Sequence, residues 1–397
     1  MRALLLENIH PSAVEVLEGR GYDVELRPGS LAEDELVAAL AGVELLGIRS
    51  NTTVTARVLE EAPDLLAVGC FCIGTNQVDL AAAAQRGVGV FNAPYSNTRS
   101  VVELVIGEII ALARRLPEKT QRMHEGVWDK SARGSHEVRG RTLGIVGYGN
   151  IGTQLSTVAE ALGMRVLFYD TADRPAHGNA RRTRSLADLL AAADVVSLHV
   201  DGRPGNAGFF GADEFAAMKA RSLFINASRG MVVDDKSLRD HLESGHIAGA
   251  AVDVFPTEPK AQGDPFDSVL RGLDNVILTP HIGGSTQEAQ EEIGWFVAEK
   301  LARFALEGST ALSVNLPAVL PPALTAGHRL GLLHHSVPGV LAELNAALAA
   351  AGDNVVDQTL ATRDQLGYVV TSTSAPISAE VVDHLVSADS CVWARTW

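Results

Sequence analysis

The chain has 397 residues, of which 46% are hydrophobic and 20% charged, as is typical of two or three folded domains. Its 33 Lys and Arg residues against 48 Asp and Glu residues give a formal net charge of −15, which argues against a general binder of nucleic acids or anionic membranes. No stretch reaches the roughly 18 apolar residues of a membrane span. The three cysteines, Cys70, Cys72 and Cys391, form neither a disulfide framework nor a metal-ligand spacing, so we expect a cytoplasmic protein without a metal.

The first 96 residues predict a parallel α/β domain. Short apolar runs alternate there with stretches of helical periodicity, which is typical of βα units around a parallel sheet. The runs are ALLLEN, DVELRP, ELLGIRS, LLAVGCF and VGVFNAP. We predict a flavodoxin-like, discontinuous domain of residues 1–96 and 285–316, because the chain after Gly284 is helical and adds no strand of its own.

A long helix and a second parallel sheet are predicted for residues 97–284. Residues 97–116 have the periodicity of an apolar helix, and Ser100 and Glu103 predict a capping box at its start. Six strand candidates follow from Arg141 onward: TLGIVGYG, RVLFYD, DVVSLHV, SLFINAS, GAAVDVF and NVILTP. Their alternation with helical stretches predicts a Rossmann-type doubly wound sheet.

Residues 317–397 predict a linker and a small terminal module. Residues 317–327 are rich in proline and are typical of an interdomain linker. Residues 328–397 show the order strand, helix, strand, strand, helix, strand. That order predicts a ferredoxin-like βαββαβ module.

A glycine-rich turn predicts a dinucleotide site in the second domain. Gly147, Gly149 and Gly152 follow a strand and open a helix, which is the context that gives the G-x-G-x-x-G pattern its meaning. The turn would let a pyrophosphate approach the backbone at a helix N-terminus. Asp170 ends the next strand and would accept hydrogen bonds from ribose hydroxyls while repelling a 2′-phosphate, which predicts NAD as the cofactor.

Three polar residues follow three strands of the same predicted sheet. Arg229, Glu258 and His281 each lie just after a strand, at the edge where ligands bind in open α/β folds. Hydride transfer between a nicotinamide and a 2-hydroxy acid needs a base, a cation for the carboxylate and a group that orients the base, and these residue types supply all three. A structural role, as salt bridges or as a polar cap of a strand, stays open for each of them separately.

The motifs GYGNIG, NASRG, DVFPTEP and TPHIGGST together resemble the D-isomer-specific 2-hydroxyacid dehydrogenase family. The resemblance covers nearly the whole chain, and it makes residues 1–96 with 285–316 the substrate-binding domain and 97–284 the NAD-binding domain. It implies that Arg229, Glu258 and His281 are catalytic. The residues that it implies for cofactor binding, besides the glycine turn, are Asn150, Ile151, Asp170, Ala227, Ser228, Arg229, Asp253, His281, Gly283 and Gly284.

The resemblance also implies a set of substrate-holding residues, namely Arg49, Ser50, Asn97 and Lys130. The cations among them would concentrate positive potential for an anionic substrate despite the acidic surface. The sequence departs from similar chains at Pro28 and Asn51, where they carry cations, and Arg27 is a candidate substitute.

The terminal module is similar to regulatory ACT domains. The resemblance implies L-serine as an effector held by His334, Ser336 and Asn354 at a subunit interface, with Ser336 in place of an asparagine. A serine hydroxyl offers fewer donors and acceptors than a carboxamide, so a weakened response is one expectation and a purely structural dimerisation module is another. Pairing of terminal modules and of nucleotide-binding domains would give a homotetramer.

For the activity, the resemblance implies NAD-dependent oxidation of 3-phospho-D-glycerate to 3-phosphohydroxypyruvate, the first step of phosphorylated serine biosynthesis, with reduction of 2-oxoglutarate to 2-hydroxyglutarate as a side activity. An alternative is a D-2-hydroxyacid dehydrogenase for an unphosphorylated substrate. Two non-catalytic functions also stay open: an NAD-sensing corepressor-like binding protein, and a serine-binding regulatory protein.

Overall fold

The computed structural model of the protein describes residues 1–259, 263–323 and 327–397. Its backbone forms two compact units, one of Met1–Ser96 with Gln290–Trp397 and one of Asn97–Ala289. Within the described ranges, no helix is long and apolar enough to cross a membrane. Residues 324–326 of the predicted linker lie outside the described part of the chain.

Helices and strands alternate along most of the chain. In residues 1–96 they are β1 (Arg2–Leu5), α1 (Ser12–Glu18), β2 (Asp23–Leu26), α2 (Glu33–Ala39), β3 (Leu45–Ile48), α3 (Ala56–Glu61), β4 (Ala67–Cys70), α4 (Leu80–Gln85) and β5 (Gly89–Asn92). Next come α5 (Thr98–Arg114), α6 (Leu116–His124), β6 (Thr142–Val146), α7 (Asn150–Ala161), β7 (Arg165–Tyr169), β8 (Arg181–Arg182), α8 (Leu186–Ala192), β9 (Val195–Leu198), α9 (Ala212–Ala217), β10 (Ser222–Asn226), α10 (Asp235–Glu243), β11 (Ile247–Val252) and β12 (Val276–Leu278). The last are α11 (Gln287–Glu307), β13 (His328–His335), α12 (Val340–Ala351), β14 (Val355–Arg363), β15 (Leu366–Thr373), α13 (Ala379–Val386) and β16 (Cys391–Thr396).

The first sheet has five parallel strands in the order β2-β1-β3-β4-β5, which is the flavodoxin-like order. Its central strands are buried on both faces, as the continuous apolar runs in their sequence predict. Apolar residues of α11, such as Val297 and Leu301, join the core of this sheet. The flavodoxin-like fold is therefore confirmed.

The second sheet has seven parallel strands in the order β12-β11-β10-β9-β6-β7-β8. Strand order reverses next to β6, as in a Rossmann-type sheet, so this prediction is confirmed. The two-residue strand β8 was not predicted, since an Arg-Arg pair carries no strand signal. The capping box at the start of α5 was wrong: Asn97 O accepts the first helical hydrogen bond, from Val101 N, which places Ser100 inside the first turn.

The terminal module is a four-stranded antiparallel sheet in the order β14-β15-β13-β16, and α12 and α13 pack on its apolar face. The βαββαβ order is confirmed. The module belongs to the same compact unit as the first sheet, whereas the sequence predicts it as a separate domain behind a linker. The predicted limits of the domains, at residues 96, 284, 316 and 327, stay predictions.

The module is joined to α11 by three side-chain donors. Arg329 Nη1 donates to Glu307 O at 2.9 Å, Tyr368 Oη to Gly308 O at 2.7 Å and Trp397 Nε1 to Ala305 O at 2.6 Å. The last carbonyls of a helix lack partners within the helix, so the module caps the C-terminal end of α11.

Candidate functional site

The glycine-rich turn between β6 and α7 has the geometry of a dinucleotide cradle. Gly147 has φ +93°, and a Cβ there would lie 2.4 Å from His199 O. A Cβ at Gly152 would lie 2.3 Å from Gly147 O, whereas the space over Gly149 is open within 4 Å. The turn is therefore closed on the protein side and open at Gly149, where α7 begins with Asn150 and Ile151, so these residues fit a pyrophosphate at a helix N-terminus.

Asp170 directly follows β7 and lies beside this turn. Its Oδ2 accepts from Tyr148 N and its Oδ1 from Ala172 N, both at 2.8 Å. Arg174 Nε is 3.9 Å from Oδ2. The carboxylate is thus fixed next to the glycine turn, where it can accept from ribose hydroxyls.

A close contact between two loops positions Arg229. A Cβ at Gly230 would lie 1.9 Å from the carbonyl carbon of Phe255, so only glycine lets the loop after β10 touch the loop after β11. The Arg229 guanidinium donates to Ser228 O at 2.6 Å. Ser228 in turn donates to Asn226 Oδ1. The arginine is thus held at the carboxyl edge of the sheet, and Ala227 and Ser228 lie on the same loop.

Glu258 and His281 form a hydrogen-bonded pair on this edge. Glu258 Oε2 is 2.8 Å from His281 Nδ1, and Oε1 accepts from Phe255 N at 3.1 Å. Burial alone would raise the pKa of Glu258, but the hydrogen bonds from His281 and Phe255, together with the charges of His281 and Arg229, lower that pKa overall. The hydrogen bond to Glu258 raises the pKa of His281 above 6.5 against the effect of burial. The pair leaves His281 Nε2 able to exchange a proton.

The loop that carries His281 is anchored by Asp253. Its carboxylate, 2% exposed, accepts from Thr279 Oγ1 at 2.6 Å and from Ile282 N and Gly283 N at 2.8 Å. His281 itself has φ +52°, a left-handed conformation that is uncommon for a residue with a side chain. These contacts show that Asp253 holds the loop of residues 279–283. Its contact with the cofactor stays a prediction.

Asn97 lies against the same loop. A Cβ at Gly284 would be 2.3 Å from Asn97 Nδ2, so a side chain at this position would displace the Asn97 amide. The second unit therefore brings together Arg229, Glu258, His281 and, through Gly284, the predicted substrate residue Asn97.

Arg49 and Ser50 lie in the first unit, directly after β3. The loop is organised by Glu7, whose buried carboxylate accepts from Arg49 N, Asn51 N and Thr52 N at 2.8 to 3.1 Å. Sequence reasoning missed Glu7; its signal is a single acidic residue after the buried run ALLL. Arg27, the candidate substitute for the missing cations, pairs with Glu25 at 2.6 Å, and its role at the substrate stays a prediction.

Lys130 lies apart from the catalytic set of its own chain. Its neighbours Asp129 and Ser131 line a cavity of about 520 Å³ together with Val195 and Leu223, at the edge where β9 and β10 begin. Arg229 and His281 lie at the opposite edge of that sheet. The structure does not bring Lys130 to these residues, and its predicted substrate role stays a prediction.

The predicted effector residues are not brought together in one module. His334 is buried, with Nδ1 2.8 Å from His335 O, and Ser336 N donates to Gln365 O. Asn354 lies at the other end of β15, where its carbonyl accepts from Ser374 N. A ligand that touches all three would therefore require two modules.

Comparison with known proteins assigns this architecture to a class. A model of the D-isomer specific 2-hydroxyacid dehydrogenase NAD binding domain matches residues 106–283. A protein of Escherichia coli (strain K12) is 53% identical over 371 residues, which cover 93% of this chain and 90% of that protein. The chain therefore belongs to the D-isomer specific 2-hydroxyacid dehydrogenases, and NAD is the cofactor of its second domain.

The full-length relatives share a more particular name. The E. coli protein is a D-3-phosphoglycerate dehydrogenase, and so is a protein of Haemophilus influenzae that is 48% identical over 396 residues, covering 100% of this chain and 97% of that protein. Among solved structures, the TT0316 protein from Thermus thermophilus is 32% identical with a TM-score of 0.69, over 78% of this chain and 97% of that chain.

Proposed function

We propose that the protein is an NAD-dependent dehydrogenase that oxidises 3-phospho-D-glycerate to 3-phosphohydroxypyruvate. The observation that carries the chemistry is the Glu258–His281 pair, 2.8 Å apart, on the sheet edge that also presents Arg229. The substrate class rests on the identity of 45–53% with D-3-phosphoglycerate dehydrogenases over nearly the full chain.

Each residue of the pair has a distinct role in this reaction. The turn at residues 147–152 and Asp170 would hold NAD, which would supply the acceptor for the hydride on C2 of the substrate. His281 Nε2 accepts the proton of the C2 hydroxyl, and Glu258 stabilises the imidazolium that results. Arg229 binds the substrate carboxylate through its planar fork of donors.

The preference for a phosphorylated substrate is tested by comparing kcat/KM for 3-phospho-D-glycerate with kcat/KM for D-glycerate. We expect a much larger kcat/KM for the phosphorylated acid, because Arg49 and Lys130 are predicted to bind it. Equal kcat/KM values would favour the alternative of a dehydrogenase for unphosphorylated 2-hydroxy acids. Retained NAD binding without turnover of either acid would favour the corepressor-like function.

The pH dependence of the reaction reports on Glu258. Oxidation requires neutral His281, so kcat/KM should fall as pH decreases through the raised pKa of His281. Replacement of Glu258 by Gln removes the charge that raises this pKa, and we expect the acidic limb to move to lower pH by roughly one unit. The pH profiles of kcat/KM in both directions measure the shift, and an unmoved limb would contradict the pairing.

Regulation by L-serine and a tetrameric assembly belong to the same proposal. The separation of Ser336 and Asn354 along β15 supports an effector site shared by two modules. Titration of L-serine into initial-rate assays, with the mass of the assembly measured by light scattering, tests both. Absence of inhibition in an intact tetramer would leave the module a purely structural role.

A further inference from the structure

Glu108 is a buried acid that the proposed mechanism does not use. It lies on α5 with 5% of its surface exposed, and neither carboxylate oxygen has a hydrogen-bond partner in the described structure. An ionised carboxylate in such surroundings is strongly disfavoured. The Glu108 side chain is therefore expected to be protonated unless a nearby group stabilises its negative charge.

The charged group that acts on Glu108 is Asp253. Asp253 accepts three hydrogen bonds from the loop of residues 279–283, whereas the Glu108 oxygens accept none in the described structure. A buried carboxyl group without donors, with a second carboxyl group acting on it, favours its uncharged form. Glu108 is therefore expected to carry a proton.

Helix α5 also touches the loop that Asp253 anchors. A Cβ at Gly283 would lie 3.4 Å from Val101 and 3.8 Å from Leu104, both on α5, and 3.0 Å from Asp253 Oδ2. Asp253, Gly283 and α5 therefore meet in one place, two residues along the chain from His281.

We propose that Glu108 is a positioning residue for the dehydrogenase reaction. As a neutral acid it lets α5 pack against the loop that carries His281, and its ionisation places a second buried negative charge beside Asp253 and loosens that loop. The role in catalysis rests on the proposed function, whereas the protonation state does not.

The electrostatic surroundings of Glu108 determine the pH range in which it ionises. Burial, and then Asp253, raise the pKa of Glu108 from 4.5 to about 8. Asp253 directly follows β11, one of the strands packed against α5. In the described ranges, no charged group of the other elements packed against α5, which are α6, α7, β10 and β12, contributes to the raised pKa of Glu108. The raised pKa means that the stability contributed by protonated Glu108 is complete below pH 4.5 and is lost as pH rises through about 8.

The test replaces Glu108 by Gln, which has nearly the same shape and cannot ionise. The control is Glu103→Gln on the same helix, where Glu103 is 63% exposed and pairs with Arg99. Near pH 7 we expect Glu108→Gln to retain kcat/KM. Above about pH 8, wild type and control should lose kcat/KM relative to Glu108→Gln by about tenfold per pH unit, as for a single ionisation.

Two measurements do not depend on activity. The melting temperature of Glu108→Gln should exceed that of wild type by a gap that widens between pH 4.5 and about 8 and then stays constant. Infrared spectra should show a protonated carboxyl band near pH 7 in wild type and in the control, absent from Glu108→Gln, with a wild-type titration midpoint near pH 8.

If the ratio of kcat/KM between Glu108→Gln and wild type stayed constant from pH 7 to above about pH 8, the positioning role would be overturned. Absence of the infrared band in wild type near pH 7 would overturn the assignment of the proton, and this measurement needs no variant to fold. If the protein oxidised no 2-hydroxy acid, the proposed function would fail, while the thermal and infrared results would still decide the state of Glu108.

Discussion

Replacement of His281 by Asn is expected to lower kcat for oxidation of 3-phospho-D-glycerate by about 10²- to 10⁴-fold, the range that a positioned general base contributes. The asparagine keeps a polar group next to Glu258 but cannot accept the proton of the C2 hydroxyl. Binding of NADH, measured by fluorescence titration, should stay close to that of wild type. The kinetic measurement is steady-state turnover at saturating NAD.

The matched control for this variant is His136→Asn, because His136 is an exposed histidine of the same unit without a side-chain hydrogen bond in the described structure. Addition of Glu258→Gln to His281→Asn should have little further effect on kcat, since residues that act as a unit are not additive. Full activity of His281→Asn would remove the acid–base assignment. A multiplicative loss in the double variant would show that Glu258 acts independently of His281.

Replacement of Arg229 by Lys is expected to lower kcat/KM by about 10²- to 10³-fold. A lysine keeps the positive charge but offers a point charge in place of two parallel donors for the carboxylate. Loss of a desolvated charge-assisted contact costs about 2–5 kcal/mol, and each 1.36 kcal/mol corresponds to about a factor of ten in rate. Steady-state kinetics with varied 3-phospho-D-glycerate measure the effect.

The control for the arginine variant is Arg139→Lys, in which Arg139 is 79% exposed and pairs with Glu137. We expect this variant to match wild type in kcat/KM and in NADH affinity. A loss in Arg229→Lys that appears only as weaker NADH binding would reassign Arg229 from the substrate to the cofactor. Unchanged kcat/KM would exclude it from both.

Much of the fold was predictable because the strands are short, apolar and bounded by turn residues. Strands buried on both faces, such as β3 and β4, need continuous apolar sequence, and the helices between them keep the 3.6-residue period. The start of α5 was less predictable, since Ser100 is a good capping residue in sequence but Asn97 begins the helix through its backbone carbonyl. The single unit formed by the terminal module and the first sheet depends on long-range contacts, which no local pattern records.

The candidate site was predictable where a residue type matches its chemistry directly. Arg229, Glu258 and His281 follow strands that end at one edge, and parallel topology places such residues together. The supporting acids were not predictable in the same way. Glu7 resembles any polar residue after a strand, and Glu108 is of a residue type that ordinarily faces solvent, although its position lies on the buried face of α5 with Val105 and Leu112. Their roles arise from burial and from partners distant in sequence.

The capping of α11 by Arg329, Tyr368 and Trp397 makes the terminal module and the rest of the first unit thermodynamically interdependent. Excision of the module would remove three donors from the helix end and uncover the ring of Phe304 on α11, which packs near Trp393 of the module. A shortened chain is accordingly a destabilised protein as well as one without its terminal module, and its kinetics would report both losses at once.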